Sequence, residues 1–136
     1  MSLVVFLIIA SLVNGLNENK TKEFFIQKSK LVSLPSGCTE TGQYFQGNSL
    51  DVQARLSKHY SCKNTKVKDV CDAILPKISR EEFTIQPAEC SEEFSFSKSG
   101  ASDERYIVTV RIPTKDYTST LDFKEAEIVY VIISRS

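Results

Sequence analysis

The chain contains one histidine, His59, and any acid–base chemistry would be expected to start there, because imidazole titrates near neutral pH. A nucleophile triad would also need a serine or cysteine beside it. The sequence has no G-x-S-x-G motif and no second histidine, and its cysteines are expected to be oxidised. The pattern therefore predicts a solvated histidine near a helix end, in a protein that is not an enzyme and needs no cofactor.

Paired carboxylates are the other catalytic possibility. The pairs are Glu81-Glu82, Glu92-Glu93 and Asp103-Glu104. Neighbouring residues of a strand point to opposite faces, so Glu92 and Glu93 are not expected to converge on one substrate atom. Glycosidase chemistry would instead need two carboxylates from separate strands facing one cleft, which the sequence leaves open.

Four cysteines in a chain of this size indicate two disulfides rather than a metal site. Their spacing is unlike the close C-x-x-C pairs of zinc sites, so no metal is expected. We favour Cys38–Cys62 with Cys71–Cys90, and Cys38–Cys90 with Cys62–Cys71 remains open. Each favoured loop would stabilise the fold by about 3 kcal/mol in the chain-entropy model.

The basic residues are segregated from the acidic ones along the sequence. A basic stretch holds Arg55, Lys58, His59, Lys63, Lys66 and Lys68, and an acidic stretch holds Glu81, Glu82, Glu89, Glu92 and Glu93. The whole chain balances 17 basic against 17 acidic groups, which gives no overall attraction to nucleic acid. The basic stretch is either a patch for sulfated glycans or an acidic partner, or a solvated face paired with the acidic strands.

The first fifteen residues are predicted to be a secretory signal peptide, because Leu3–Val13 is an apolar run too short to span a bilayer. Cleavage after Gly15 would leave no transmembrane segment in the mature chain, and an uncleaved N-terminal anchor is the alternative. Residues 16–22 are polar and predicted to be flexible, with a possible glycosylation site at Asn19. Residues 23–136 then form a single domain of ordinary size.

Two helices are predicted in the middle of the chain. Ser49–Tyr60 places Val52, Leu56 and Tyr60 on one side, and Asn64–Pro76 places a second apolar stripe around Cys71. Pro76 would end the second helix. Joined through Lys63 and Asn64, the two would form a helical hairpin.

Extended segments are predicted elsewhere. Two-residue periodicity indicates strands in Glu81–Gln86, Glu92–Lys98, Arg105–Ile112 and Glu127–Ser134, the last of them central and covered on both sides. Glu23–Leu34 is predicted to be extended near a sheet edge, with a short helix at Lys22–Lys28 as the alternative. The resulting fold class is α+β, with two short helices on a three- to five-stranded, mainly antiparallel sheet that two disulfides stabilise.

Thr39–Asn48 is predicted to be a loop with Tyr44 and Phe45 near its tip. Within it Gln43–Gly47 superficially resembles the Q-x-V-x-G hairpin of cystatin-type protease inhibitors. Phe45 replaces the valine, however, and the segment precedes both predicted helices, so we assign no family.

The leading hypothesis is a small secreted binding module without catalysis that recognises an extracellular protein or a sulfated glycan. Loops on a rigid scaffold commonly supply such contacts. The candidate contact residues are Tyr44, Phe45, Arg55, Lys58, Lys63, Lys66 and Tyr117. If the ligand is a sulfated glycan, replacing Lys63 and Lys66 with glutamate should weaken binding to heparin. The alternatives are an inhibitor of extracellular proteases, based on Gln43–Gly47, and a small secreted enzyme of unrecognised fold.

Overall fold

A computed structural model describes residues 3–48, 53–78, 82–84, 89–101, 104–114, 120 and 123–135. In chain order, the elements are helix α1 (Leu3–Ser29), strand β1 (Cys38–Gln46), strand β2 (Arg55–Cys62), helix α2 (Val67–Ile74) with a short 3-10 turn (Leu75–Lys77), and strands β3 (Glu93–Lys98), β4 (Tyr106–Arg111) and β5 (Ile128–Ser134).

The five strands form one antiparallel sheet in the order β1-β2-β5-β4-β3. Alternating burial shows which face carries the core: Tyr106, Val108 and Val110 of β4 are buried, as are Val129 and Val131 of β5. The C-terminal part of α1 and the apolar side of α2 belong to the same hydrophobic cluster. The helices therefore cover one face of the sheet.

The α+β prediction is confirmed, and so is the favoured disulfide pairing. Cys38–Cys62 links the paired ends of β1 and β2, and Cys71–Cys90 links α2 to the segment before β3. Three of the predicted strands are present as β3, β4 and β5. Of the fourth, Glu81–Gln86, only residues 82–84 lie within the described part, and the Thr84 N–H donates to the Ser97 carbonyl at 3.0 Å beside β3.

The predicted helical hairpin is wrong because its first helix is a strand. Residues 49–52 lie outside the described residues, but Arg55–Cys62 is β2, hydrogen-bonded on one side to β1 and on the other to β5. The spacing of four between Leu56 and Tyr60 fits either structure, because four residues make about one helical turn and are also a multiple of two. Long-range pairing determines the outcome.

Two other segments differ from the predictions. The loop predicted for Thr39–Asn48 is mostly β1, with a register shift between Glu40 and Gly42 that indicates a β-bulge. Residues 16–29, predicted as a flexible terminus followed by an extended segment, are all part of α1. The alternative prediction, a short helix at Lys22–Lys28, is therefore correct in its type of secondary structure, although the helix is longer.

Helix α2 matches its predicted apolar stripe, since Val67, Val70, Cys71 and Ile74 are buried. Lys66 is its N-cap, and the Lys66 N–H donates to the Asp69 carboxylate at 2.8 Å. The 3-10 turn that contains Pro76 ends it.

The two ends of helix α1 differ in the burial of their apolar side chains. Phe25 is fully buried among the core residues, and the Phe24 ring packs edge-on against Tyr106 with centroids 5.6 Å apart. Further towards the N-terminus, apolar side chains such as Val4 and Leu7 are exposed. No helix in the described ranges is long and apolar enough to cross a membrane.

A polar network fastens the end of α1 to the strands. Glu82 accepts hydrogen bonds from Lys28 Nζ at 2.7 Å and from the Tyr106 hydroxyl at 2.5 Å, and Lys98 Nζ lies 3.6 Å away. The hydrogen bonds from Lys28 and Tyr106 lower the pKa of the Glu82 carboxyl. Burial, together with Glu82, raises the pKa of Tyr106. The network therefore requires an ionised Glu82.

Candidate functional site

The face of the sheet opposite the helices is the candidate site, and we call it the open face. The side chains that alternation places there are half-buried or exposed; among them are Tyr44, Arg55, Ser57, His59, Ile107, Thr109, Arg111, Ile128, Tyr130 and Ile132. Within the described part of the chain, no helix covers this face. The central strand β5 is thus covered on one side only, because Tyr130 and Ile132 are half-buried and Ile128 is 44% exposed.

Three aromatic rings form a row across β1, β2 and β5. The His59 ring lies between Tyr44 and Tyr130, with both centroid distances equal to 4.7 Å. Strand register explains the second contact, because His59 is directly opposite Tyr130 in the β2–β5 pair. The first depends on Gly42, which is opposite His59 in β1. The Tyr44 ring folds back over Gly42 and so reaches His59.

Gly42 is required for this position of the ring. A Cβ at residue 42 would lie 2.8 Å from the Tyr44 hydroxyl oxygen and 2.9 Å from its Cε2, both closer than van der Waals contact allows. Only the hydrogen atom of a glycine fits between the β1 backbone at residue 42 and the Tyr44 ring. The glycine therefore belongs to the site through the aromatic side chain two residues later.

We expect Gly42→Ala to move the Tyr44 ring away from His59 with little change in stability. Because Tyr44 is 59% exposed, its ring can rotate into solvent, and the free energy of unfolding should change by less than about 1 kcal/mol. Nuclear Overhauser contacts between the Tyr44 and His59 rings should disappear in the variant and persist in the neighbouring control Gln43→Ala. Retention of these contacts in Gly42→Ala would contradict the proposed role of the glycine.

The rings line a shallow depression of about 450 Å³. Residues around it include Tyr44, Gln46, Arg55, His59, Tyr130 and Ile132. A second depression of about 410 Å³ adjoins it and shares Arg55, Arg111 and Ile132 with it. The open face therefore offers an elongated surface with an aromatic end and an arginine-rich middle.

The two arginines differ in their partners. Arg111 pairs with Glu93 across the β3–β4 ladder, at 3.3 Å between exposed groups. Arg55 is exposed at the junction of the two depressions, and no carboxylate within the described residues forms an ion pair with it. A guanidinium carries five N–H donors in a planar arrangement.

His59 also contacts a hydroxyl that the sequence analysis did not consider. Its Nε2 lies 3.0 Å from Ser57 Oγ, two residues earlier on the same face of β2. In the described part of the chain, no carboxylate hydrogen-bonds to the imidazole. Moreover, β2 is paired on both sides, so its backbone N–H groups are engaged in the sheet. An oxyanion would find no free backbone donor on this strand.

The predicted contact residues are divided among several places. Tyr44 and Arg55 meet at the open face, whereas Phe45 packs against the core and Lys58 is opposite the buried Val131, on the helix side. Lys63 and Lys66 lie past the far end of β2, about 25 Å from Arg55 at about 3.3 Å per strand residue. Tyr117 lies outside the described residues.

Within the described residues, the basic stretch therefore does not form a single patch. Arg55 and His59 still share a face, because their separation of four is even, but Lys63 lies beyond the strand. Lys66 instead places its Nζ 5.6 Å from the ring centroid of the exposed Phe123. Asn19, the possible glycosylation site, is exposed on α1.

Tyr130, Ser57 and Arg111 were missed by the sequence analysis. A strand interpretation of Arg55–Cys62 would have placed Arg55, Ser57 and His59 on one face. The positions of Tyr130 and Arg111 relative to them depend on strand order, and the sequence carries no local signal for that.

Comparison with protein-family models, with curated proteins and with solved structures found no match.

Proposed function

We propose that this protein is a small secreted module without catalytic activity, which binds an acidic extracellular glycan on its open face. The observation that carries the proposal is the row of Tyr44, His59 and Tyr130 beside Arg55, whose guanidinium has no acidic partner in the described residues. Rings and an available cation on one shallow surface suit a ligand with both apolar and anionic parts.

The chemistry of the surface favours a saccharide. The C–H face of a sugar ring can lie flat on an aromatic side chain, which supplies apolar contact at small entropic cost. A carboxylate or sulfate can take two parallel hydrogen bonds from one guanidinium. The two adjoining depressions together provide room for more than one sugar unit.

Two features support an extracellular location. Both disulfides join residues far apart in sequence, and such bonds persist in oxidising compartments. Within the predicted leader, the side chains that the structure describes are exposed and none belongs to the core; they are Val4, Val5, Leu7, Ile8 and Ile9. Cleavage after Gly15 is therefore compatible with the fold.

The proposal predicts that Arg55→Gln weakens binding of a sulfated oligosaccharide about ten- to hundredfold, because a hydrogen bond to a charged group contributes about 1.5–3 kcal/mol. Titration calorimetry with a size-defined heparin fragment would measure this change. The matched control is Lys63→Glu combined with Lys66→Glu, which changes more charge at the other end of β2 and should alter affinity less than about threefold.

If the double lysine variant weakens binding strongly and Arg55→Gln does not, the ligand binds at the turn between β2 and α2. That result would contradict the open-face site. Wild-type protein that binds neither sulfated nor carboxylated oligosaccharides, but captures a protein partner through Arg55, would contradict the glycan proposal.

A hydrolase that uses Ser57 is a second candidate, which the 3.0 Å contact with His59 favours. We rank it lower because the imidazole has no orienting carboxylate in the described residues, and because the N–H groups of β2 are engaged on both sides. A fluorophosphonate probe should label the wild type no more than Ser57→Ala. Labelling that depends on Ser57 and His59 would favour the hydrolase.

A further inference from the structure

The two edge strands of the sheet, β3 and β1, differ in whether another segment of the chain hydrogen-bonds to them. At the β3 edge, the Thr84 N–H donates to the Ser97 carbonyl, and the Thr84 hydroxyl lies 2.9 Å from that of Ser99. A crossing segment thus occupies part of that edge. At the β1 edge, residues 39–46 make no backbone hydrogen bond, within the described ranges, beyond those with β2.

The β1 edge also lacks the usual protection against pairing. Exposed edges are commonly guarded by lysine, proline or a bulge. The bulge near Glu40 disturbs only one end of β1, and the regular stretch Gly42–Gln46 contains no charge and no proline. Within that stretch, Gly42 and Phe45 are half-buried and the others are exposed.

We propose that β1 of a second copy of this chain pairs with β1 in antiparallel orientation, with the two-fold axis midway between the two Tyr44 residues. With an axis perpendicular to the sheet, one residue must lie directly opposite its own copy, because opposed side chains share a face while neighbouring residues of a strand point to opposite faces. Centring on Tyr44 uses the whole regular stretch and places Gly42 opposite Gln46 and Gln43 opposite Phe45. Centring on Gln43 would bring in the bulge, and centring on Phe45 would extend past the end of the strand.

Charge and continuity both favour this partner. The Tyr44-centred register opposes no two like charges, since Gly42–Gln46 contains no charged residue, and the chain as a whole is neutral. The two open faces would join into one ten-stranded surface. The row of Tyr44, His59 and Tyr130 would continue across the axis into the same row of the mate.

Sedimentation equilibrium without any ligand tests this proposal. Because a single strand pair is a small interface, dimerisation is expected to be weak, and concentrations up to about 0.5 mM are needed to detect it. Tyr44→Lys, which opposes two cations and removes a ring pair, should weaken the dimer on the order of tenfold. Thr39→Lys, on the other side of the bulge, is the matched control and should dimerise like the wild type.

A mixture of Tyr44→Lys and Tyr44→Asp should recover the dimer, because opposite charges would then face each other at the axis. A wild type that stays monomeric throughout this range would overturn the proposal. So would a dimer that Tyr44→Lys leaves unchanged, or one that the mixture does not restore.

Discussion

Phe25→Ala is expected to reduce the free energy of unfolding by about 3–5 kcal/mol, the cost usual for removing a buried phenylalanine from a core. Phe25 is fully buried, its ring packs 6.0 Å from that of Phe24, and the guanidinium of Arg135 lies 5.5 Å from it. The loss would be a large part of the stability of a domain of this size. Urea denaturation followed by circular dichroism would measure it.

The exposed residue Glu23 provides the control in the same helix, and Glu23→Ala should change stability by no more than about 0.5 kcal/mol. A chain that begins at Leu16 should be as stable as the full chain, because Phe25 remains. If Phe25→Ala costs less than about 1 kcal/mol, the C-terminal part of α1 does not belong to the core.

Glu82→Gln is expected to reduce stability at pH 7 by about 2 kcal/mol, because hydrogen bonds to an ionised group are worth about 1.5–3 kcal/mol. The substitution keeps the size of the side chain but removes the charge that Lys28 and Tyr106 contact. The exposed pair of Glu93 with Arg111 supplies the control, and Glu93→Gln should have an effect below about 1 kcal/mol.

The effect of Glu82→Gln should depend on pH in a defined direction. The pKa of Glu82 is lowered in the folded state, so the stabilisation is fully present above the unfolded value of about 4.3. It is lost as the pH falls through the folded pKa. The stability difference between wild type and Glu82→Gln should therefore shrink from pH 7 to pH 2, and a constant difference would contradict an ionised Glu82.

Much of the sheet could be predicted because its strands carry a strict two-residue pattern. Tyr106, Val108 and Val110 alternate with partly exposed residues, which no helix would do. The predicted pairing Cys38–Cys62 is also correct, and it joins the paired ends of two strands.

The errors occurred where the local signal was ambiguous. Leu56 and Tyr60 fit a helix and a strand equally well, and pairing with β5 decides between the two structures. Conversely, the aromatic and branched residues in Glu23–Leu34 suggested an extended segment, yet Phe25 packs into the core from a helix. In both cases tertiary contacts prevail over local propensity.

Only part of the candidate site could be predicted from the sequence. Tyr44 and Arg55 could be named from residue type, but their meeting requires the β1–β2 register, and the contact of His59 with Tyr130 requires that β5 lies next to β2. Tyr130 follows His59 by 71 residues, and no local sequence pattern indicates that their strands are neighbours. The role of Gly42 beneath the Tyr44 ring depends on a rotamer, which the sequence does not specify.

The most direct test of the open-face site is a titration of the ¹⁵N-labelled protein with a sulfated oligosaccharide, followed by backbone amide chemical shifts. We predict that the largest shifts occur in Tyr44–Gln46, Arg55–His59 and Tyr130–Ile132, which surround the ring row and Arg55. Shifts confined to Lys63–Asp69 and Phe123, at the other end of β2, would contradict it.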